Sequence, residues 1–157
     1  MKPSVYMETT IPSYYTARPS RDVVVAGHQA TTREWWDRRL PHFRAFISQI
    51  VLDEAALGDA EFAARRLEAL RPFRLLDLRD DVTELARHLV DSGPMPMKAV
   101  RDALHIALAA THGIDFLLTW NCTHIANAEM SPKIASICHE HGLECPVICT
   151  PDELMGV

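Results

Sequence analysis

Apolar and polar positions divide the chain into short apolar runs and longer segments whose apolar residues recur at helical spacing. The short runs, bounded by loop residues, predict buried β-strands, and the longer segments predict α-helices. The predicted strands cover residues 5–7, 44–47, 73–78, 116–120 and 147–149. The predicted helices cover about residues 21–40, 50–55, 60–70, 81–93, 98–111 and 131–142.

Capping and stop signals set the boundaries of these elements. Ser48 is placed to cap the helix that follows the second strand, and Asp81 with Glu84 has capping-box spacing. The tripeptide at 11–13, Ile-Pro-Ser, predicts a loop after the first strand. Ser131-Pro132 predicts an N-cap followed by proline at the first helical position. Glycine supplies helix stops at three positions, Gly93, Gly113 and Gly142.

Strands and helices alternate along most of the chain. This order favours an α/β fold with a mainly parallel central sheet and helices on both faces, because parallel strands need crossover connections. The absence of internal repeats, low-complexity tracts and flexible linkers predicts one domain over residues 1–157. In such sheets ligands bind outside the carboxyl ends of the strands.

The composition, 48% hydrophobic and 24% charged, is that of an ordinary globular protein and excludes a disordered chain. The net charge of −5 provides no global basic field for long duplex nucleic acid, so any nucleic-acid contact has to be local. The cations that either make such a contact or form a solvated surface are Arg18, Arg21, Arg65, Arg66, Lys98 and Arg101.

No stretch approaches the roughly 20 apolar residues of a membrane-spanning helix, and the first residues lack an apolar stretch behind a basic start. We therefore expect a cytoplasmic protein with no membrane partner. The cysteines show neither a Cys-x-x-Cys pair nor the spacing of zinc ligands, and reduced thiols are expected at Cys122, Cys138, Cys145 and Cys149.

Two glutamates are placed where a ligand crevice is expected. Glu8 directly follows the first strand, although it could instead accept hydrogen bonds from loop amides. Glu54 lies early in the helix after the second strand, on the side marked as apolar by Val51 and Ala55. Its neighbour Asp53 faces elsewhere, since adjacent helical positions are about 100° apart.

Asp102 lies in a helix whose other positions are nearly all apolar, so the helix is expected to be buried over most of its circumference. An ionised carboxylate there is costly unless it is paired, hydrogen-bonded or bound to a metal. A buried pair with an arginine is the alternative to a metal. His105, one turn further along the same face, either orients a carboxylate or packs in the core.

Three carboxylates brought together without a cation would repel one another and raise each other's pKa. A hard divalent cation removes that repulsion, and all-oxygen ligands suit Mg²⁺ or Mn²⁺ better than zinc. Such an ion polarises a phosphoryl oxygen and lowers the pKa of a bound water. The acids therefore predict metal-dependent cleavage of a phosphodiester.

With these acids placed, the chain resembles the PIN-domain nucleases, including the VapC-like toxins of toxin–antitoxin pairs, over nearly its whole length. Four segments carry the resemblance in order along the chain: VYMETTIPS, ISQIVLDEA, RDALHIALA and DFLLTWN. The resemblance implies a PIN-like three-layer sandwich. It also implies an endoribonuclease whose metal ligands for Mg²⁺ or Mn²⁺ are Glu8, Glu54 and Asp102.

Two positions depart from the family pattern. Glu8 stands where Asp is usual, which keeps the charge and lengthens the reach by one methylene. Asn121 stands at the fourth position, often an acid, and offers a neutral oxygen to the site. The resemblance further implies an RNA substrate and a small antitoxin partner, and a homodimer is the default for a small enzyme.

The segment TWNCTHIANAE predicts the rim of the site at the same edge of the sheet. Asn121 and His124, with Thr9 from the first loop, are placed to contact the metal-bound water or a phosphate, and Asn127 lies close behind them. The alternative is that this polar run only shapes a loop.

Trp35 and Trp36 are neighbours on one predicted helix, so they cannot both face one core easily. One of them is a candidate for a dimer or inhibitory interface, and packing of both in a loosely wrapped layer is the alternative.

Three other functions compete with the nuclease. An inactive PIN-like RNA- or protein-binding module is favoured by Asn121 and by the acidic net charge. A dinucleotide-binding enzyme would need a Gly-x-Gly phosphate turn, which the chain lacks. A phosphatase with an aspartyl nucleophile would need an acid-rich motif after the first strand, where Glu8 stands alone.

Overall fold

Five strands form one sheet in which every neighbouring pair is parallel, as predicted. The computed structural model describes residues 1–157. The sheet order is β3-β2-β1-β4-β5, and the strands are β1 (Ser4–Met7), β2 (Arg44–Ser48), β3 (Arg74–Leu76), β4 (Phe116–Leu118) and β5 (Val147–Cys149). Val5 at the centre pairs with Ala45 of β2 and Phe116 of β4.

Seven α-helices connect and cover the strands: α1 (Thr10–Thr16), α2 (Val23–Glu34), α3 (Gln49–Ala55), α4 (Ala60–Leu70), α5 (Asp80–Asp91), α6 (Val100–Thr111) and α7 (Ser131–Glu140). The chain continues from α2 through a π-helix, Trp35–Arg39, and a 3₁₀ turn, Leu40–His42. None of the helices is long and apolar enough to cross a membrane.

The strand order places the helices in two layers. Crossovers between parallel strands are right-handed in nearly all proteins, which in this strand order places α1–α4 on one face and α5–α7 on the other. In agreement, α1 packs on α2 and α4, while α5 packs on α6 and α7. All four residues of β1 are buried, as expected for a parallel strand covered on both sides.

Several predicted boundaries are confirmed. The helix α4 and the strand β5 begin and end at the predicted residues. The Ser48 hydroxyl caps α3 by accepting a hydrogen bond from the Val51 amide. Gly113 and Gly142, which follow α6 and α7, adopt positive φ values of 65° and 72°.

The loop predicted at residues 11–13 is wrong, because α1 runs through them. Pro12 is the third residue of this helix, and the first turn of a helix has no intrahelical partners for its N–H groups. Proline therefore costs little there, and Ile11 beside it is fully buried in the core.

Two predicted helix starts also differ from the structure. The predicted capping box at Asp81 and Glu84 is absent: α5 begins at Asp80, and Asp81 instead forms an ion pair with Arg79. The α7 helix already includes Ser131, so its N-cap is Met130 and proline stands at the second helical position.

The two neighbouring tryptophans have different environments. Trp35 is fully buried, whereas Trp36 is only partly buried and stacks on Tyr15 with ring centroids 4.3 Å apart. The edge of Phe73 completes this contact. The helix geometry therefore separates them as predicted, and the interface role of Trp36 stays a prediction.

All four cysteines are free. Cys138 and Cys149 are buried, and burial, with the charges of Glu153 and Asp152, raises the pKa of Cys149 to about 12. A thiol with so high a pKa is unreactive at neutral pH.

Candidate metal centre

Three elements bring ligand-bearing side chains together at the carboxyl edge of the sheet. Glu8 follows β1, Glu54 lies in α3 and His105 lies in α6. One ligand atom from each of the three lies within 4.8 Å of the others. This cluster is at the edge where parallel α/β sheets bind their ligands.

Glu8 is only 4% exposed and is held through one oxygen. Its Oε1 accepts hydrogen bonds from the Thr10 amide at 3.1 Å, the Thr10 hydroxyl at 2.5 Å and the Thr119 hydroxyl at 2.8 Å. Its other oxygen, Oε2, has no hydrogen bond with the protein, and no lysine or arginine pairs with it. The carboxylate is therefore fixed in orientation and keeps one oxygen for a ligand.

Glu54 shows the same arrangement with different partners, and its side chain is 21% exposed. Its Oε1 accepts hydrogen bonds from Thr9 Oγ1 and from His105 Nε2, both at 2.6 Å. Burial alone would raise the pKa of Glu54, but the hydrogen bond and charge of His105, the bond from Thr9 and the nearby Arg101 charge hold it below its ordinary value. Glu54 is therefore an ionised acceptor whose Oε2 has no partner in the protein.

Asp53, the neighbour of Glu54, is exposed and accepts a hydrogen bond from Gln49 Nε2. The choice of Glu54 over Asp53 as the inward-facing acid agrees with this geometry.

His105 is fully buried between the sheet and Glu54. Its Nδ1 lies 2.7 Å from Tyr6 Oη, which in turn lies 2.7 Å from Ser48 Oγ. Of the two roles predicted for His105, the hydrogen bond to Glu54 supports the orientation of a carboxylate. Sequence reasoning missed Tyr6 here; the available signal was a phenol inside a fully buried strand, whose hydroxyl needs a partner.

Asp102 is not a member of the cluster formed by Glu8, Glu54 and His105. Its Oδ2 lies 3.0 Å from His124 Nδ1, and the two side chains are 20% and 22% exposed. Asp102 therefore pairs with a half-buried histidine, and not with the buried arginine considered from the sequence. The structure brings two of the three predicted carboxylates together, those of Glu8 and Glu54. The third, Asp102, lies in α6, one helical turn before His105.

The polar segment after β4 is shaped by its own hydrogen bonds. Asn121 Oδ1 accepts a bond from the His124 amide at 3.0 Å, which fixes the turn that brings His124 to Asp102. Asn127 Oδ1 accepts one from the Glu129 amide at 3.0 Å. In this arrangement Asn121 and Asn127 shape the loop, and His124 is the rim residue that reaches an acid.

Thr119 is a further residue that the sequence did not single out. It is fully buried, donates to Glu8 and accepts a hydrogen bond from the Asn121 amide at 2.9 Å. It thus connects the first acid to the rim loop. Its only sequence signal was a hydroxyl at the end of an apolar strand.

The donor set fits a divalent cation. The carboxylates of Glu8 and Glu54 lie close together, and neither forms an ion pair with a lysine or arginine, so negative charge is concentrated between them. Each also retains one oxygen without a hydrogen bond. Carboxylate oxygens suit Mg²⁺ and Mn²⁺. The cluster is therefore a candidate metal centre built from Glu8 and Glu54.

Comparison with protein families agrees with the fold. The model of the PIN domain matches residues 24–121, which is more than half of the 157 residues. The chain belongs to the PIN-domain family. PIN domains are in general metal-dependent nucleases, so the acidic cluster lies in a nuclease fold.

The matched part of the PIN domain includes Glu54, Asp102, His105 and Asn121, and Glu8 precedes it. No curated protein matches the chain at a significant level. The resemblance to PIN nucleases is thus confirmed for the family, while the VapC-like toxin remains a prediction.

Proposed function

We propose that this PIN domain is a Mg²⁺- or Mn²⁺-dependent endoribonuclease that hydrolyses RNA phosphodiesters. The observation that carries the proposal is the pair Glu8 and Glu54 at the carboxyl edge of the sheet. Each carboxylate is fixed through Oε1, leaves Oε2 without a protein partner and forms no ion pair with a lysine or arginine. Such a pair is costly unless a cation joins it.

Glu8 and Glu54 would hold the ion, with Asp102 as the third acid implied by the family pattern. A bound ion supplies a polarised phosphoryl oxygen and a water of lowered pKa. Arg101 is exposed and close enough for its charge to act on Glu54, so it is placed to attract a substrate phosphate. His124, on the rim, is the side chain placed to contact substrate beside Asp102.

A single-stranded RNA suits this surface better than a duplex. The net charge of −5 offers no global attraction to a long duplex, and the site lies at one edge of the sheet among short loops. The rim also contains an aromatic group in which Trp120 stacks with His28 and Tyr14, with ring centroids 4.0 and 6.2 Å away, and unpaired bases stack on aromatic side chains.

The toxin role and the partners belong to the same proposal. The order of the four motifs supports a toxin with a small antitoxin, and the partly buried Trp36 supports an interface with a second copy or an inhibitor. A reading frame for a small DNA-binding protein beside this gene would support the toxin role without biochemistry.

The test is incubation of the protein with a panel of RNAs in Mg²⁺ or Mn²⁺, alongside chelator and the variants Glu54→Gln and Asp102→Asn. We expect cleavage by the wild type only with metal, and a large loss in both variants. Asp53→Asn is the matched control, because it removes an exposed charge one residue away. Equal cleavage by wild type and Glu54→Gln would overturn the proposal.

The second candidate is a PIN-like binding module without catalysis. The neutral Asn121 and the pairing of Asp102 with His124 favour it, since both reduce the charge available to a metal. Calorimetry with Mn²⁺ separates the two candidates. Absence of both Mn²⁺ binding and RNA cleavage in the wild type would favour the module.

A further inference from the structure

A chain of hydrogen bonds runs through the core and ends on Glu54. Its members are Ser48 at the end of β2, Tyr6 in β1 and His105 in α6, joined by contacts of 2.7, 2.7 and 2.6 Å up to Glu54 Oε1. The three donors come from different elements and are fully buried. A phenylalanine ring would fill the space of the Tyr6 ring equally well. What tyrosine adds is a buried hydroxyl, which is costly unless it forms hydrogen bonds.

When the His105 imidazole is neutral, the acceptor at one end sets the direction of every bond in the chain. An ionised carboxylate only accepts, so His105 Nε2 must carry the proton that it shares with Glu54. In a neutral imidazole the other nitrogen then accepts, which makes Tyr6 the donor to Nδ1. The Tyr6 oxygen in turn accepts from the hydroxyl of Ser48. The Ser48 hydroxyl thereby orients the Tyr6 hydroxyl, which in turn orients the His105 ring.

The geometry distinguishes a hydrogen bond from joint metal ligation. His105 Nε2 and Glu54 Oε1 lie 2.6 Å apart. Two ligand atoms at right angles around one ion, each about 2.1 Å from it, would be about 3 Å apart. The shorter separation fits a shared proton, and Thr9 also occupies Oε1. The oxygen of Glu54 left for an ion is Oε2.

We propose that His105 is a positioning residue for the metal: Ser48 and Tyr6 hold it in the Nε2–H tautomer, and it fixes Glu54 so that Oε2 serves the ion. The inference rests on the proposed metal-dependent function and adds residues that the acid pattern does not contain. Hydrogen bonds of this kind orient metal-ligating groups, and their loss lowers metal affinity by about 10- to 100-fold.

The experiment measures Mn²⁺ affinity by calorimetry for the wild type and for His105→Leu, His105→Gln and Tyr6→Phe. We expect His105→Leu to lose about 10- to 100-fold in affinity. His105→Gln restores most of it, because its amide keeps an N–H donor near the position of Nε2. Tyr6→Phe loses about 3- to 10-fold, the equivalent of one ordinary hydrogen bond.

A second readout needs no metal. The ¹⁵N shifts of the His105 ring report its tautomer in the metal-free protein, and we expect Nε2–H in the wild type and a mixture in Tyr6→Phe. The matched control is Tyr15→Phe, which removes a hydroxyl bonded to the exposed Asp37 and leaves affinity and tautomer unchanged. Circular dichroism checks folding, and Tyr6→Phe decides the question if His105→Leu does not fold.

The outcomes are distinguishable. If the wild type binds Mn²⁺ and His105→Leu, folded, binds it equally well, His105 does not position Glu54 and only this inference is overturned. An unchanged tautomer and affinity in Tyr6→Phe would remove Tyr6 and Ser48 from the mechanism. If the wild type binds no Mn²⁺, the proposed function and this inference fail together.

Discussion

The buried charge of Glu8 serves metal binding but destabilises the folded, metal-free protein. The side chain is almost completely buried, its Oε2 has no partner, and another carboxylate lies within 4.8 Å. Without a cation, nothing offsets the mutual repulsion of the two carboxylates. The metal-free protein therefore contains a destabilising pair at its proposed centre.

Neutralising Glu8 tests this opposition. Glu8→Gln keeps an acceptor for the Thr10 and Thr119 bonds and removes the charge next to Glu54. We expect the free energy of unfolding of the metal-free protein to rise by about 1 kcal/mol, while Mn²⁺ affinity falls at least tenfold. Urea unfolding in chelator and calorimetry measure the two effects. A variant less stable than the wild type in chelator would contradict the repulsion argument.

Thr119 gives a second prediction for a single side chain. Thr119→Val keeps the shape but removes the donor to Glu8 and the acceptor for the Asn121 amide. We expect a loss of about 1–3 kcal/mol in the free energy of unfolding, because buried polar groups lose their partners. Thr119→Ser, which retains the hydroxyl, is the control. Chemical denaturation measures both, and equal losses would show that packing, and not the hydroxyl, matters.

At the scale of elements, the starts of β1 and β4 are joined by one carboxylate. Asp115 Oδ2 accepts bonds from the Ser4 amide at 2.8 Å and the Ser4 hydroxyl at 3.0 Å, and the Ser4 hydroxyl accepts one from the Asp115 amide at 2.9 Å. These bonds lower the pKa of Asp115 below its ordinary value. They help to hold together the two strands that carry Glu8 and Thr119 at their far ends.

The lowered pKa of Asp115 predicts a pH dependence. The stability it contributes is fully present above the unfolded-state value of about 3.9 and is lost as the pH falls through the lower folded-state value. We expect Asp115→Asn to flatten the acid side of the stability profile below about pH 4 and to leave the metal centre intact. Urea titrations between acid and neutral pH test this, and parallel profiles for wild type and variant would contradict it.

The elements were also what the sequence predicted best. Five apolar runs gave the strands, and Glu54 was separated from Asp53 by helical periodicity alone. The roles of Tyr6, Ser48 and Thr119 could not be recognised, since their partners lie 42 to 111 residues away along the chain. The pairing of Asp102 with His124 also depends on the loop fixed by Asn121, which no local pattern reveals.

For the whole molecule, the order β3-β2-β1-β4-β5 determines where the centre forms. Successive connections run outwards from β1 to β3 on one side and then return to β4 and β5 on the other. The connections therefore lead to opposite sides of the sheet on either side of the boundary between β1 and β4, and ligand crevices form at such switch points. Glu8 and Thr119 lie directly after these two strands, so the topology itself provides the site.

Binding of a cation at this point is expected to stabilise the whole domain. At about 100 times its dissociation constant an ion adds about 2.7 kcal/mol, which corresponds to a rise in Tm of about 5–10 °C for a domain of this size. Chelator should reverse the rise, and Glu8→Gln should abolish it. Differential scanning fluorimetry with Mn²⁺ measures the shift, and an equal shift in Glu8→Gln would place the ion elsewhere.

The position of β1 at the centre of the sheet also affects synthesis of the chain. The second edge of β1 is covered only by β4, which ends at Leu118. A growing chain that stops before Phe116 would contain Glu8, Glu54 and His105 but would lack Thr119 to hold Glu8. Chains that end before Phe116 would therefore lack the assembled candidate metal centre.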